Sequence, residues 1–115
     1  MMIAKQKLTG HERIDRRTFA LCRVLARHME MEGEDERNND LQKALDNIAR
    51  WRSTGVRCAI YDEWERLIRY EGWKAARKLL LERTQRGTQM RQTEPFAGIL
   101  PEEIIRKIYY KYRLR

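Results

Sequence analysis

At 115 residues the chain has room for one domain, and it is long enough to bury a core without a disulfide or a metal. An apolar content of 42% is too high for a wholly disordered chain, and 37% charged residues call for amphipathic elements with a heavily charged skin. The net charge of +8 favours an anionic partner, and no stretch of about eighteen apolar residues exists to span a membrane.

Residues 1–8 read as a flexible basic arm, with no apolar stretch that would make a signal peptide. The remainder, 9–115, reads as a single helical domain. Thr9-Gly10-His11-Glu12 matches a capping box, in which Thr9 and Glu12 satisfy each other's backbone amides. The first helix is expected over 10–32. Its apolar stripe is Ile14, Leu21, Leu25 and His28, widened by Thr18, Cys22, Val24 and Met29. Gly33 is placed to stop it. The polar run from Glu34 to Asn39 reads as a solvated loop.

A second helix is expected over 41–52, with Leu41, Leu45 and Ile48 inward and Ala44 and Trp51 beside them. A third is expected over 57–70, where Ile60, Tyr61, Trp64, Leu67 and Ile68 share a face. Gly72 breaks the chain. A fourth helix is expected over 73–91, with Trp73, Ala76 and Leu80 inward and a frayed end near Gly87, since an exposed helical glycine costs about 1 kcal/mol. The segment 93–101 holds both prolines and is the one clear non-helical connector. Phe96, Ile99 and Leu100 should pack it against the core. Pro101 and the acids Glu102 and Glu103 suit the start of a fifth helix over 102–112. The expected fold is therefore all-α, a compact bundle of about five helices. Gly72 between two helices invites comparison with a DNA-reading helix-turn-helix. Placing it as the turn glycine puts Glu71 and Trp73 at core positions and Lys78 where an apolar residue belongs, so the pair reads as a plain helical hairpin.

The charge is uneven along the chain. Residues 1–56 carry 11 Lys/Arg and 9 Asp/Glu, and residues 57–115 carry 14 and 8, a net of +2 against +6. Nucleic acid is the simplest partner for the second half. Between Arg83 and Thr93 no acid interrupts Arg83, Arg86 and Arg91, and Gln85, Gln89 and Gln92 lie among them. Arginine forks suit phosphate oxygens, and glutamine can read adenine edges. Lys74, Arg77 and Lys78 extend this surface along the fourth helix. At the C-terminus Lys107, Lys111, Arg113 and Arg115 alternate with Tyr109, Tyr110 and Tyr112. Tyr110 points away from the apolar face and could stack on a base. The acidic run of Glu30, Glu32, Glu34, Asp35 and Glu36 reads as solvated surface or a contact for a basic partner.

Cys22 and Cys58 sit in apolar contexts without ligand spacing and read as thiols of a reducing compartment, the cytoplasm. No phosphate loop, nucleophile elbow or His-x-x-x-His spacing is present, so neither a cofactor nor a metal is expected. Arg23-Val24-Leu25-Ala26-Arg27-His28 resembles the Arg-x4-His active-site motif of HEPN ribonucleases, although a polar residue usually follows the arginine and Val24 stands here. The resemblance implies a helical ribonuclease acting through Arg23 and His28. The leading expectation is a small, basic, non-enzymatic protein that binds DNA or RNA. The alternatives are a protein-interaction module (adaptor, inhibitor or antitoxin-like partner, or a self-associating subunit), suggested by three tryptophans and five tyrosines in a thin core, and more distantly the HEPN-like ribonuclease.

Overall fold

The computed structural model describes residues 10–113, and within them the chain is helical with no strand. The basic arm over 1–8, the Thr9 cap and Arg115 lie outside the described residues. Six α-helices follow in order: α1 (Gly10–Glu30), α2 (Glu34–Ser53), α3 (Ala59–Arg66), α4 (Trp73–Leu81), α5 (Gln85–Gln92) and α6 (Glu102–Lys111). A π-helical turn, Leu67–Glu71, extends α3. The long α1 is the central element, packing against α2, α4, α5 and α6.

One core runs through all of these. Cys22, Leu25 and Met29 of α1 meet Leu41, Ala44 and Ile48 of α2, Trp64 and Ile68 of the third segment, and Ala76, Leu79 and Leu80 of α4. Phe96, Ile99 and Leu100 fold the 93–101 connector back onto this cluster, as their apolar character predicts. Asn47 anchors the connector to α2, donating to the carbonyls of Pro95 at 2.8 Å and Ala97 at 3.0 Å. Trp64 is fully buried, and its indole N–H donates to the Met90 carbonyl at 2.9 Å. The aliphatic faces of α2 and α3 match their sequence periodicity, whereas the stripe of α1 begins later than expected. Ile14 is 38% exposed, and the fully buried residues of α1 start at Cys22.

Two boundaries differ from the sequence reading, each for a local reason. Residues 34–39 are helical rather than a loop. Glu34, Asp35 and Glu36 occupy the first turn of α2, where negative charge complements the helix dipole. Arg37 then reaches back to the carbonyls of Met29, Glu30 and Glu32, supplying side-chain donors where α1 ends. The expected 73–91 helix is two helices. It stops at Leu81, Glu82 is extended, and the Thr84 hydroxyl accepts from the Gly87 amide at 3.0 Å to cap α5. Gly87 is buried and does not mark a frayed end. A Cβ there would lie 2.1 Å from the Glu82 carbonyl oxygen, so the backbone passes where only glycine fits. Gly72 closes the π turn through its amide to the Leu67 carbonyl and takes φ +80°, a conformation that favours glycine.

Glu94 sits where the connector meets α1, beside a cavity of about 40 Å³ lined by Leu21, Leu25, Phe96, Leu100 and Ile105. Burial pushes its carboxyl up to about 7, partly offset by the hydrogen bond from the Phe96 amide. The neighbouring Cys22 thiol is raised as well, by burial first and then by Glu94. A carboxyl whose folded pKa exceeds its unfolded value of 4.5 favours the fold when protonated. Its stabilising effect is therefore complete below pH ~4.5, declines between there and pH ~7, and is absent above. The full loss is about 3 kcal/mol. Urea denaturation should show Glu94→Gln gaining stability relative to wild type by ~1–3 kcal/mol on moving from pH 5 to pH 8. A pH-independent difference between the two proteins would contradict this.

Candidate nucleic-acid interface

Among the described residues, a row of arginines that form no ion pair runs along α1, on the side away from the residues it buries. Arg13, Arg16, Ala20, Arg23 and Arg27 are spaced three, four, three and four apart. At about 100° per residue they fall within roughly 80° of arc, and at about 1.5 Å per residue they span some 21 Å. That length matches about six phosphates of one duplex strand.

Three adjoining hollows follow this stripe. Between α1 and α6, a hollow of about 280 Å³ is lined by Ala20, Arg23, Val24, Arg27, Ile108, Lys111 and Tyr112. It adjoins a second of about 260 Å³ lined by Arg13, Arg16, Lys111, Tyr112 and Arg113. On the α4 side a third, of about 320 Å³, adds Arg77 and Leu81 to Arg23 and Arg27. Among the described residues, Arg13, Arg16, Arg23, Arg27 and Lys111 form no ion pair. Among the residues that line the three hollows the one acid is Glu30, already engaged by Arg77 at 3.7 Å and by the Trp73 indole N–H at 2.5 Å. Apolar and aromatic surface from Val24, Ile108 and Tyr112 forms the floor. At the rim Tyr110 is 69% exposed beneath the Arg113 guanidinium, and Arg17 covers Tyr109 at 4.3 Å.

A larger hollow, about 520 Å³, opens at the α2–α3 turn between Arg52, Val56, Arg57, Cys58, Ala59 and Asp62. Its chemistry is mostly satisfied. Arg52 binds Glu65 at 2.9 Å and also Asp62, which raises its own pKa and holds the Glu65 carboxyl below its usual value. Among the described residues Arg57 is left as its one unpaired cation, so size alone does not make it the better anion site.

The residues singled out from sequence divide into three groups. Arg77, Lys111 and Arg113 line the α1 groove, and Tyr110 stands at its edge. Lys74, Lys78 and Lys107 are exposed outside it. The Arg83–Arg91 segment does not form a common basic face. Arg83 stacks over Phe19 at 4.5 Å, and Arg86 pairs with Glu63 at 3.3 Å. Arg91 is only 6% exposed and corrects its assignment as a phosphate contact. Its guanidinium donates to the Leu80 and Glu82 carbonyls and to Thr88, and burial lowers its pKa. Arg23 and His28, the pair highlighted by the HEPN-like motif, are five residues apart on one helix, about 140° around it. Arg23 lines the groove, and His28 instead faces Glu32 at 3.8 Å.

A count of charge by halves of the chain hides Arg13, Arg16, Arg23 and Arg27 as a group. The acids between Glu30 and Glu36 cancel these arginines in such a count, although they occupy a different part of the fold. The usable signal was the three-four spacing of arginines on the side of α1 that carries no core residue. The chain matches no protein family, no curated protein and no solved structure. Fold and site thus define an all-α protein with a basic groove along its central helix. No helix among the described residues is long and apolar enough to cross a membrane.

Proposed function

We propose that this chain is a non-enzymatic nucleic-acid-binding protein that holds a phosphate backbone in the groove between α1 and α6. The observation that carries this reading is the row of cations without an ion pair among the described residues, Arg13, Arg16, Arg23, Arg27 and Lys111, along a groove with an apolar floor. Phosphates would meet the guanidinium forks, and Tyr110 at the rim is placed to stack on an unpaired base. Arg77 and Arg113 extend the contact at either end. The cytoplasm suits this role and keeps the free thiols Cys22 and Cys58 reduced.

Fluorescence anisotropy with labelled duplex DNA, single-stranded DNA and RNA tests the reading. Wild type should bind at ~50 mM salt and weaken steeply by ~200 mM, because each phosphate contact releases a counterion. The double variant Arg23→Gln/Arg27→Gln should bind about ten- to a hundredfold more weakly, and the slope of log K against log salt should fall by roughly two. Arg57→Gln, in the hollow at the α2–α3 turn, should bind as wild type does. No binding of any of the three probes at ~50 mM salt would sink the proposal.

A further inference from the structure

A second constellation lies where α1 passes into α2, and it is independent of what the groove binds. His28, Glu32 and Asp40 each direct a ligand atom into one place, all within 4.8 Å of one another. His28 Nε2 lies 3.8 Å from a Glu32 oxygen. The Asp40 side chain is 8% exposed, and its Oδ2 has no hydrogen-bond partner. Glu32 Oε1 is likewise buried without a partner.

The neighbouring cations do not resolve this. Arg37 spends its guanidinium on the backbone carbonyls of Met29, Glu30 and Glu32. Lys43 reaches Asp40 Oδ1 only at 3.8 Å, from an exposed position. Burial and a hydrogen bond with Asp40 raise the Glu32 carboxyl to about 7, so the two carboxyl groups face each other across a shared proton in a partly closed space, with an imidazole nitrogen alongside. Buried polar atoms are normally satisfied, and charged ones in particular demand a counter-charge.

We propose that His28, Glu32 and Asp40 bind a divalent transition metal of the zinc class. One imidazole nitrogen with two carboxylate oxygens is a donor set that zinc accepts, whereas magnesium and calcium prefer oxygen alone. Metal–ligand bonds of about 2.0–2.2 Å require the three donor atoms to close by roughly an ångström, within reach of side-chain rotation. His28 is a third exposed, which leaves room for water as a fourth ligand. The ion would tie the end of α1 to the start of α2, next to the carbonyls that Arg37 already gathers, so its role is structural.

The experiment is calorimetric titration of untagged, chelator-stripped full chain with zinc chloride, followed by thermal melts. One equivalent should bind with micromolar or tighter Kd, and saturating zinc should raise Tm by several degrees, since the ion binds only the folded state. His28→Gln and Asp40→Asn should each weaken binding at least tenfold. His28 is partly exposed, so its variant should fold even if Asp40→Asn does not. His11→Gln should bind like wild type, although His11 makes a similar surface contact with Asp15 at 3.8 Å. Absence of binding at ~100 μM zinc, equal affinity for magnesium, or zinc binding unchanged in His28→Gln would overturn the assignment.

Discussion

Arg91→Ala should lower the unfolding free energy by about 2–4 kcal/mol. The guanidinium lies inside the protein, and removing it leaves three separate deficits. The Leu80 carbonyl, one of the last acceptors of α4, loses its side-chain donor, and so does the Glu82 carbonyl where the chain turns towards α5. Each buried acceptor left bare costs ~1–3 kcal/mol. The side chain also packs its planar group 4.7 Å over Phe19, so a void opens on α1. Arg91→Lys keeps the charge but not the fork, and it should recover less than half of the loss. Arg83→Ala should cost under ~1 kcal/mol, because Arg83 stacks on the same ring from an exposed position. Urea denaturation at pH 7 separates these cases. An Arg91→Ala protein within 1 kcal/mol of wild type would show that solvent satisfies those carbonyls. Oligonucleotide affinity, measured where both proteins are fully folded, should differ by less than about twofold, since Arg91 does not reach the groove.

The same residue shows what was legible beforehand. Helix content, the single domain and the packing of 93–101 follow from periodicity, proline placement and apolar spacing, which are local properties. The core faces of α2 and α3 were readable for that reason. Arg91 was not, because nothing in an uninterrupted basic run distinguishes a guanidinium in water from one folded over a helix end. That distinction depends on Gly87, which lets α5 approach the Glu82 carbonyl and brings Arg91 beneath α4. The acidic run suffers the reverse ambiguity. Glu34, Asp35 and Glu36 looked like loop composition but form a helix N-terminus, and Glu32, two residues earlier, turns inward towards Asp40. The groove was half legible. Lys111, Arg113 and Tyr110 are legible at the C-terminal end, but their partners on α1 lie more than about 80 residues away in sequence, and only tertiary packing brings the two sets together.

The largest loss of stability is expected at Trp64. Trp64→Ala should cost about 4–5 kcal/mol, against a total of roughly 5–15 kcal/mol for a domain of this size. The indole is fully buried and ties α3 to a distant stretch of chain, the end of α5 and the connector that follows it. It belongs to α3, its N–H donates to Met90 on α5, and Phe96 of the connector meets it edge-on at a centroid distance of 5.7 Å. Area, an aromatic contact and a buried hydrogen bond are therefore lost together. Trp64→Phe separates them. It keeps a ring against Phe96 but leaves the Met90 carbonyl without its donor, and it should cost about 1–3 kcal/mol. Fluorescence offers an independent check, because Trp51 and Trp73 are only half-buried. Removing Trp64 should shift the emission of the folded protein to longer wavelength. Far-UV circular dichroism across a urea series measures the free energies. A Trp64→Ala protein less than 2 kcal/mol below wild type would mean that Ile60, Leu67 and Ile68 alone suffice to dock α3, with the indole filling space that the core can close.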